Sequence, residues 1–301
     1  MASRPVPEPL LDTASFPDDT PRRTIRKFDS PALGLALLWT CDHAESTVQT
    51  TWSGTGSLTL NDRDAPAKFE YIAVLPHVRE IALLGTADLA FWKDRLAEEN
   101  LSPVDFGGQA RVLISAMESQ YLGVRFREIS ITVFARRDDD DGGQNGLFLA
   151  LAFNSSRIFA VIERAIFSTP YCHGRILVDT CLPGSISLCE GPEAAFHAAM
   201  ARDGPAACRE PTRVGVDGWE GPIFLPCDRH SPRASSKWFF AKVGGQTRVY
   251  PFLPAGDQVT IGPGRSQDAL PRVIESGFSG REWSIRVDAR HARTRTFGKS
   301  G

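Results

Sequence analysis

The chain is 301 residues long, 42% hydrophobic and 23% charged, the proportions of an ordinary folded protein with a sizeable core. That composition excludes a disordered chain, a collagen-like repeat and a minimal disulfide scaffold. Its 34 Lys and Arg against 36 Asp and Glu leave a formal charge of -2, too weak a field to hold a phosphate backbone or anionic lipid, so neither nucleic acid nor a membrane is expected as a partner.

Residues 1-30 hold five prolines and no periodic apolar pattern, which predicts a disordered arm. A single domain over 31-297 and a short tail, 298-301, are expected to follow. No apolar run approaches the roughly 20 residues that cross a bilayer. The opening Met-Ala-Ser-Arg-Pro lacks the apolar centre of a signal peptide, so a cytoplasmic protein is expected. The cysteines at 41, 172, 181, 189, 208 and 227 form no Cys-x-x-Cys pair and no zinc spacing; free thiols, no metal and no cofactor are the expectation.

Period-two segments rich in Val, Ile, Phe and Thr predict strands at 45-52, 67-75, 110-116, 124-137, 146-154, 174-179, 185-189, 237-243, 246-252, 257-261 and 281-287. Gly244-Gly245 separates two of these and predicts a two-residue hairpin turn, since both positions tolerate positive φ. Asp138 to Asp141 with the Gly-rich run after them reads as a solvated loop between strands. Helices are few. Ser155 to Phe167 has an N-capping Ser and one face of Ile158, Val161, Ile162, Ala165 and Ile166; weaker patterns cover 86-99 and 268-276, the latter ending at Gly277. Residues 190-220 read as a connection. Strands that outnumber helices without alternating with them predict an α+β fold, a strand-dominated antiparallel cone or barrel with a few outer helices.

The stretch Val124 to Phe134 has two faces of different kind. Ile129, Ile131 and Val133 form a core face. Phe126, Glu128, Ser130, Thr132 and Phe134 form the other, where a carboxylate and two hydroxyls stand between aromatic rings, a pattern suited to the wall of a partly polar cavity. There, desolvation would raise the Glu128 pKa toward the range useful for proton transfer. Pairing of Glu128 with an arginine, in service of the fold alone, is the competing reading.

Residues 119-179, with Val124 to Phe134, Gly146 to Phe153 and Glu163 to Ile176, resemble the central part of the acetoacetate decarboxylase-like superfamily, in the branch whose loop reads Pro-Tyr rather than Pro-Lys-Lys. A less specific likeness covers Trp219 to Pro226, Trp238 to Val243, Tyr250 to Phe252 and Arg281 to Trp283. The resemblance implies a β-cone around an internal cavity, a small organic acid or ketone as partner, a possible homo-oligomer, and a place for Glu128 at the decarboxylases' active-site glutamate. Those enzymes form a Schiff base through a lysine after the helix-to-strand proline, its amine activated by desolvation and a neighbouring cation. Here Tyr171 and Cys172 follow Pro170, and no lysine lies near them in the sequence. Lys242, on a strand face with Trp238 and Phe240, is the candidate for a lysine from another strand, with a solvent-facing role as its alternative.

These residues lead to an expected acid-base set of Glu128, Tyr171 and His173, with Phe126, Ser130, Thr132, Arg175 and Trp238 as substrate-binding residues. Tyr171 can donate to a carbonyl, and His173 can exchange protons near neutrality or merely cap a backbone group. Cys172 would need a base and a lowered pKa to act as nucleophile. The expected function is a small-molecule enzyme working on an organic acid or carbonyl compound without a Schiff base; a non-catalytic binding or sensing protein and a decarboxylase using a distant lysine are the alternatives. Arg281, Arg286, Arg290, Arg293, Arg295 and Lys299 read as a solvated basic strip, with the holding of an anionic substrate or acidic partner as the alternative; Asp288 and His291, three apart, resemble a carboxylate–imidazole pair only if the segment is helical, and strand or coil is expected.

Overall fold

The computed structural model describes residues 71-137, 144-190, 193-203, 209-226, 237-262 and 277-294. The expected N-terminal arm, the strand at 45-52, the acidic loop at 138-141, the helix at 268-276 and the tail lie outside the described residues. So do Cys41, Cys208 and Cys227, while Cys172, Cys181 and Cys189 are free thiols.

Long strands build the molecule: β1 (Tyr71–Asp88), β2 (Ser102–Pro103), β3 (Gln109–Tyr121), β4 (Val124–Arg137), β5 (Gln144–Asn154), β6 (Tyr171–His173), β7 (Arg175–Asp179), β8 (Ser185–Glu190), β9 (Glu193–Ala199), β10 (Arg213–Phe224), β11 (Trp238–Pro251), β12 (Gln258–Ile261) and β13 (Ser279–Thr294). The helices are α1 (Leu89–Ala97) and α2 (Arg157–Ile166). Pairing runs β2-β4-β3-β1-β13-β11-β10-β5-β6, and because β4 also pairs with β5, the strands from β4 round to β5 close on themselves. All pairs in this sheet are antiparallel except β10–β5 and β5–β6. Register shifts along β1–β13, and one in β4–β5 after Ile131, bend the strands as closure requires. The architecture is thus the expected strand-dominated cone.

A second sheet, β12-β9-β8-β7, covers the convex side. Between it, α1 and the cone lies the main core, where Ile81, Ile129, Ile131, Val133, Tyr250 and Trp283 are at most 1% exposed. The predicted core face of β4 therefore faces outward from the cone, and its mixed face looks in. Trp283 also donates from Nε1 to the Asp257 carboxylate at 2.9 Å, which ties the core to the turn before β12.

Several elements differ from the sequence expectation for physical reasons. Residues 190-220 are not simply a connection, because β9 and the start of β10 lie there; the Ala-rich β9 has weak intrinsic strand preference but is paired on both sides, by β8 and β12. Gly244-Gly245 is not a hairpin. β11 runs straight through it, pairing Gly244 with both Gly218 and Arg290, and β13 carries the irregularity instead, with Asp288 at φ 56°. Gly245 is needed for close approach: a Cβ there would sit 2.9 Å from Ala289 Cα. Gly245→Ala is expected to cost about 1–3 kcal/mol by overpacking, read as a lower urea midpoint at unchanged slope, while Gly215→Ala, with open space around its Cβ, should not.

α1 starts only at Leu89, capped by Asp88, since β1 continues to that residue. α2 has the expected Ser cap, Ser156. Its apolar stripe is not buried, however: Ile158, Val161 and Ile166 are 71%, 56% and 68% exposed. The helix instead turns Phe159 and Glu163 toward the cone, where Phe159 meets Phe126 and Glu163 meets Arg293.

Candidate acid-base site on the concave face

Paired residues in an antiparallel sheet point to the same side, so register alone places a row of side chains inside the cone. Arg286 on β13 faces Glu80 on β1, Glu80 faces Met117 on β3, and Met117 faces Glu128 on β4. Two acidic side chains thus overhang one concave surface, about 10 Å apart at two strand spacings.

Glu128 lies partly open to solvent, and Tyr171 beside it is 7% exposed. Tyr171 arrives because β6 adds parallel to β5, pairing Tyr171 with Ala152, and its ring packs with Leu149, Phe239 and Ala241. The phenol stands beside the Glu128 carboxyl, near enough for each to shift the other's pKa. Desolvation pushes the Glu128 carboxyl up to about 7; the Tyr171 hydroxyl and the charges of Arg293 and His291 act in the opposite direction, while Glu163 adds to the rise. The Tyr171 hydroxyl is itself raised well above its ordinary value, by burial first and then by the adjacent carboxylates.

Behind this pair stands a partly buried ion pair. Arg293 on β13 grips Glu163 of α2 with two nitrogens, Nη1 to Oε2 at 2.9 Å, and its guanidinium lies over the Phe167 and Phe239 rings at 4.8 and 5.4 Å. Thr169 donates to the same Glu163 at 3.1 Å, so the end of α2 and the bend that delivers Tyr171 hang on one carboxylate. Burial opposes the Arg293 charge, but Glu163, with Tyr171 and Glu128, raises its pKa all the same.

Glu80 forms a second polar knot. At 5% exposure it accepts from Ser115 Oγ at 2.5 Å and Arg286 Nη1 at 2.8 Å, and faces His291 Nε2 at 3.5 Å. Desolvation favours its neutral form, yet Arg286, His291 and Ser115 together hold it far below the ordinary carboxylate range, so Glu80 is a permanent anion. A hollow of about 40 Å³ beside Arg286, lined also by Thr247, Ser284 and Leu113, has room for water. A larger one, about 330 Å³, lies on the convex side against Tyr250 and Ile285.

The structure brings Glu128 and Tyr171 together and scatters some of the other expected residues. Phe126 is buried against Val78, Met117 and Ala289, its ring edge-on to Phe159 at 5.3 Å. Ser130 is half-buried between Ser115 and Ala152, and Thr132 is buried with its hydroxyl turned to the Leu113 carbonyl at 3.4 Å. His173 and Arg175 are exposed: the chain leaves the first sheet after His173 and enters the second at Arg175. Trp238 packs into the convex core, because Phe239 and Ala241 are the residues of β11 that face Tyr171. Lys242, on the Trp238 side, is 41% exposed and paired with Glu220 at 3.1 Å, the solvent-facing alternative. Burial pushes the Cys172 thiol up, the wrong direction for a nucleophile.

Sequence reasoning missed Glu80 and Glu163 and left His291 and Arg293 outside the site. The available signal was the period-two spacing of Ala289, His291 and Arg293, which marks one face of a strand; the basic strip concealed it.

Two solved structures share this fold. One is an acetoacetate decarboxylase, with TM-score 0.51 and 12% identity over 76% of this chain and 90% of the other. The second is the acetoacetate decarboxylase of Legionella pneumophila subsp. pneumophila str. Philadelphia 1, with TM-score 0.50 and 11% identity over 86% and 99%. Comparison with protein-family models and with curated proteins found no match. The fold of the chain is acetoacetate decarboxylase-like.

Proposed function

We propose that the concave site belongs to a small-molecule enzyme that acts on an organic acid or carbonyl compound by acid-base chemistry at Glu128 and Tyr171, without a Schiff base. The observation that carries this reading is the placing of the Tyr171 phenol beside Glu128 on the concave face, where the carboxyl is held up to about 7 and so both keeps and releases a proton near neutrality. With its proton, Glu128 can donate to a carbonyl oxygen; without it, the carboxylate can take a proton from an adjacent carbon or a water. Tyr171 orients the carboxyl and offers a phenol O–H to the same oxygen. The likeness in fold to acetoacetate decarboxylase supports a small keto acid, ketone or related compound as substrate. Ser130, half-buried on the same face of β4 as Glu128, would line its binding place.

The test is a screen of small ketones, β-keto acids and lactones for α-proton exchange in heavy water, decarboxylation and hydrolysis. Glu128→Gln and Tyr171→Phe are expected to lose about 10²-fold or more of whichever activity appears, the scale of one general acid-base group. Equal rates in all three proteins would remove both assignments.

One observation favours a second reading. Lys237, immediately before β11 and in the alternation of Phe239 and Ala241, donates from Nζ to Ser168 Oγ at 2.9 Å, at the bend that leads into Tyr171. A lysine from another strand is therefore drawn to the loop where the decarboxylases carry theirs. Borohydride trapping with a β-keto acid decides between them: covalent capture at Lys237 supports imine chemistry, and an unmodified protein that still turns the substrate over supports Glu128 and Tyr171.

A further inference from the structure

We propose that His291 is a second proton-handling residue of this site and that Glu80 positions it. The proposal rests on the reading of Glu128 as the site's acid. His291 lies two residues before Arg293 and two after Ala289, whose side chain packs with Phe126 and Met117, so all three share the concave face of β13. Its side chain is 16% exposed, and Nε2 points at Glu80 Oε2 from 3.5 Å, close enough for charge attraction but long for a hydrogen bond. That nitrogen is buried and makes no hydrogen bond in this geometry. Glu80 cannot drift toward it or away, because Ser115 and Arg286 already fix both carboxylate oxygens. The imidazole is therefore aimed by an anion that does not titrate near neutrality, while the group that does titrate, Glu128, stands in the same row one strand beyond Met117.

Charged groups face the imidazole from several elements. From β1 Glu80 favours its cation; from β4 Glu128 does so when ionised; from α2 Glu163 is matched by Arg293. On β13 itself Arg286 and Arg293 oppose the cation, from β6 Tyr171 is neutral, and β3 and β11 present Ser115, Met117 and Val243. Protonation of His291 and ionisation of Glu128 then favour each other, as two groups that share proton traffic should. In an enolisation the proton count balances across the pair. Neutral His291, its Nε2 turned to Glu80, takes the proton from the α-carbon at Nδ1 as the C–H bond breaks and a C=C bond forms, and the Glu128 carboxyl gives its proton to the carbonyl oxygen. The reverse transfer restores both.

The experiment reads the His291 imidazole directly by NMR of the full chain with isotope-labelled histidine, one of six, assigned by loss of its signal in His291→Gln. Glu128→Gln removes one anion and Glu80→Asp withdraws the other from Nε2 while keeping the partner of Arg286. Each is expected to lower the His291 midpoint, by about threefold or more in proton affinity. A midpoint within about 0.2 pH unit of the wild type in both variants overturns the proposal. With a small ketone in heavy water, His291→Gln is further expected to slow α-proton exchange about 10²-fold with Glu128 still titrating, which loss of packing alone would not produce. A wild type without any turnover would sink the proposed function, whereas the His291–Glu128 coupling stands or falls on the NMR midpoints.

Discussion

Glu128→Gln is expected to be more stable than the wild type at pH 8 and equal to it near pH 4. The carboxyl rises from 4.5 in an open chain to about 7 in the fold. A raised carboxyl holds its proton more tightly when folded, so its contribution is fully present below pH 4.5 and is lost as pH climbs through 7. The shift corresponds to about 3 kcal/mol, which wild type forfeits over that window and the amide, having no proton to lose, keeps. Urea unfolding from pH 4 to 8 measures the difference between the two proteins, in which the other titrating groups cancel. Parallel curves would show that Glu128 is not desolvated. Since the same substitution removes the proposed acid, stability gained and activity lost should coincide, the usual relation at a strained functional group.

Arg293→Met should cost about 2–3 kcal/mol, because it leaves the partly buried Glu163 without its guanidinium. It also removes the cation over Phe167 and Phe239 and frees the α2–β6 bend that carries Tyr171. Glu163→Gln, introduced second, should recover a large part of the loss, since an amide can be buried at far smaller cost than a lone carboxylate. A double-mutant cycle in urea measures this, and simple additivity would show that the pair is not coupled. With the guanidinium gone, the Glu128 midpoint should rise further, because Arg293 is one of the charges that restrain it.

How much of this is legible in the sequence differs by element. The 124-137 strand is readable because alternation reports directly which side chains share a face, and the contrast between its two faces locates Glu128. The Ser cap of α2 is equally local. The path of β11 through Gly244-Gly245 is not, because whether two glycines turn or continue depends on what lies beside them, and here β10 and β13 pair on either side. The exposure of the α2 stripe is also hidden: apolar spacing says which residues lie together on a helix, not which face the fold selects, and Glu163 with Phe159 decides that.

The same distinction holds for the chemistry. Residue order carries the short-range facts: two unlike faces on β4, a phenol in place of an amine after Pro170, a proline-terminated helix, and enough apolar alternation for a closed sheet. Charge pairing belongs to the folded state, since Glu163 and Arg293 are 130 positions apart and Glu80 and Arg286 are 206. A run of arginines looks solvated until closure of the cone folds alternate members inward, and strand pairing over such distances leaves no local trace. The pKa of Glu128 follows the same rule, because desolvation is a property of the surroundings that only the assembled sheet supplies.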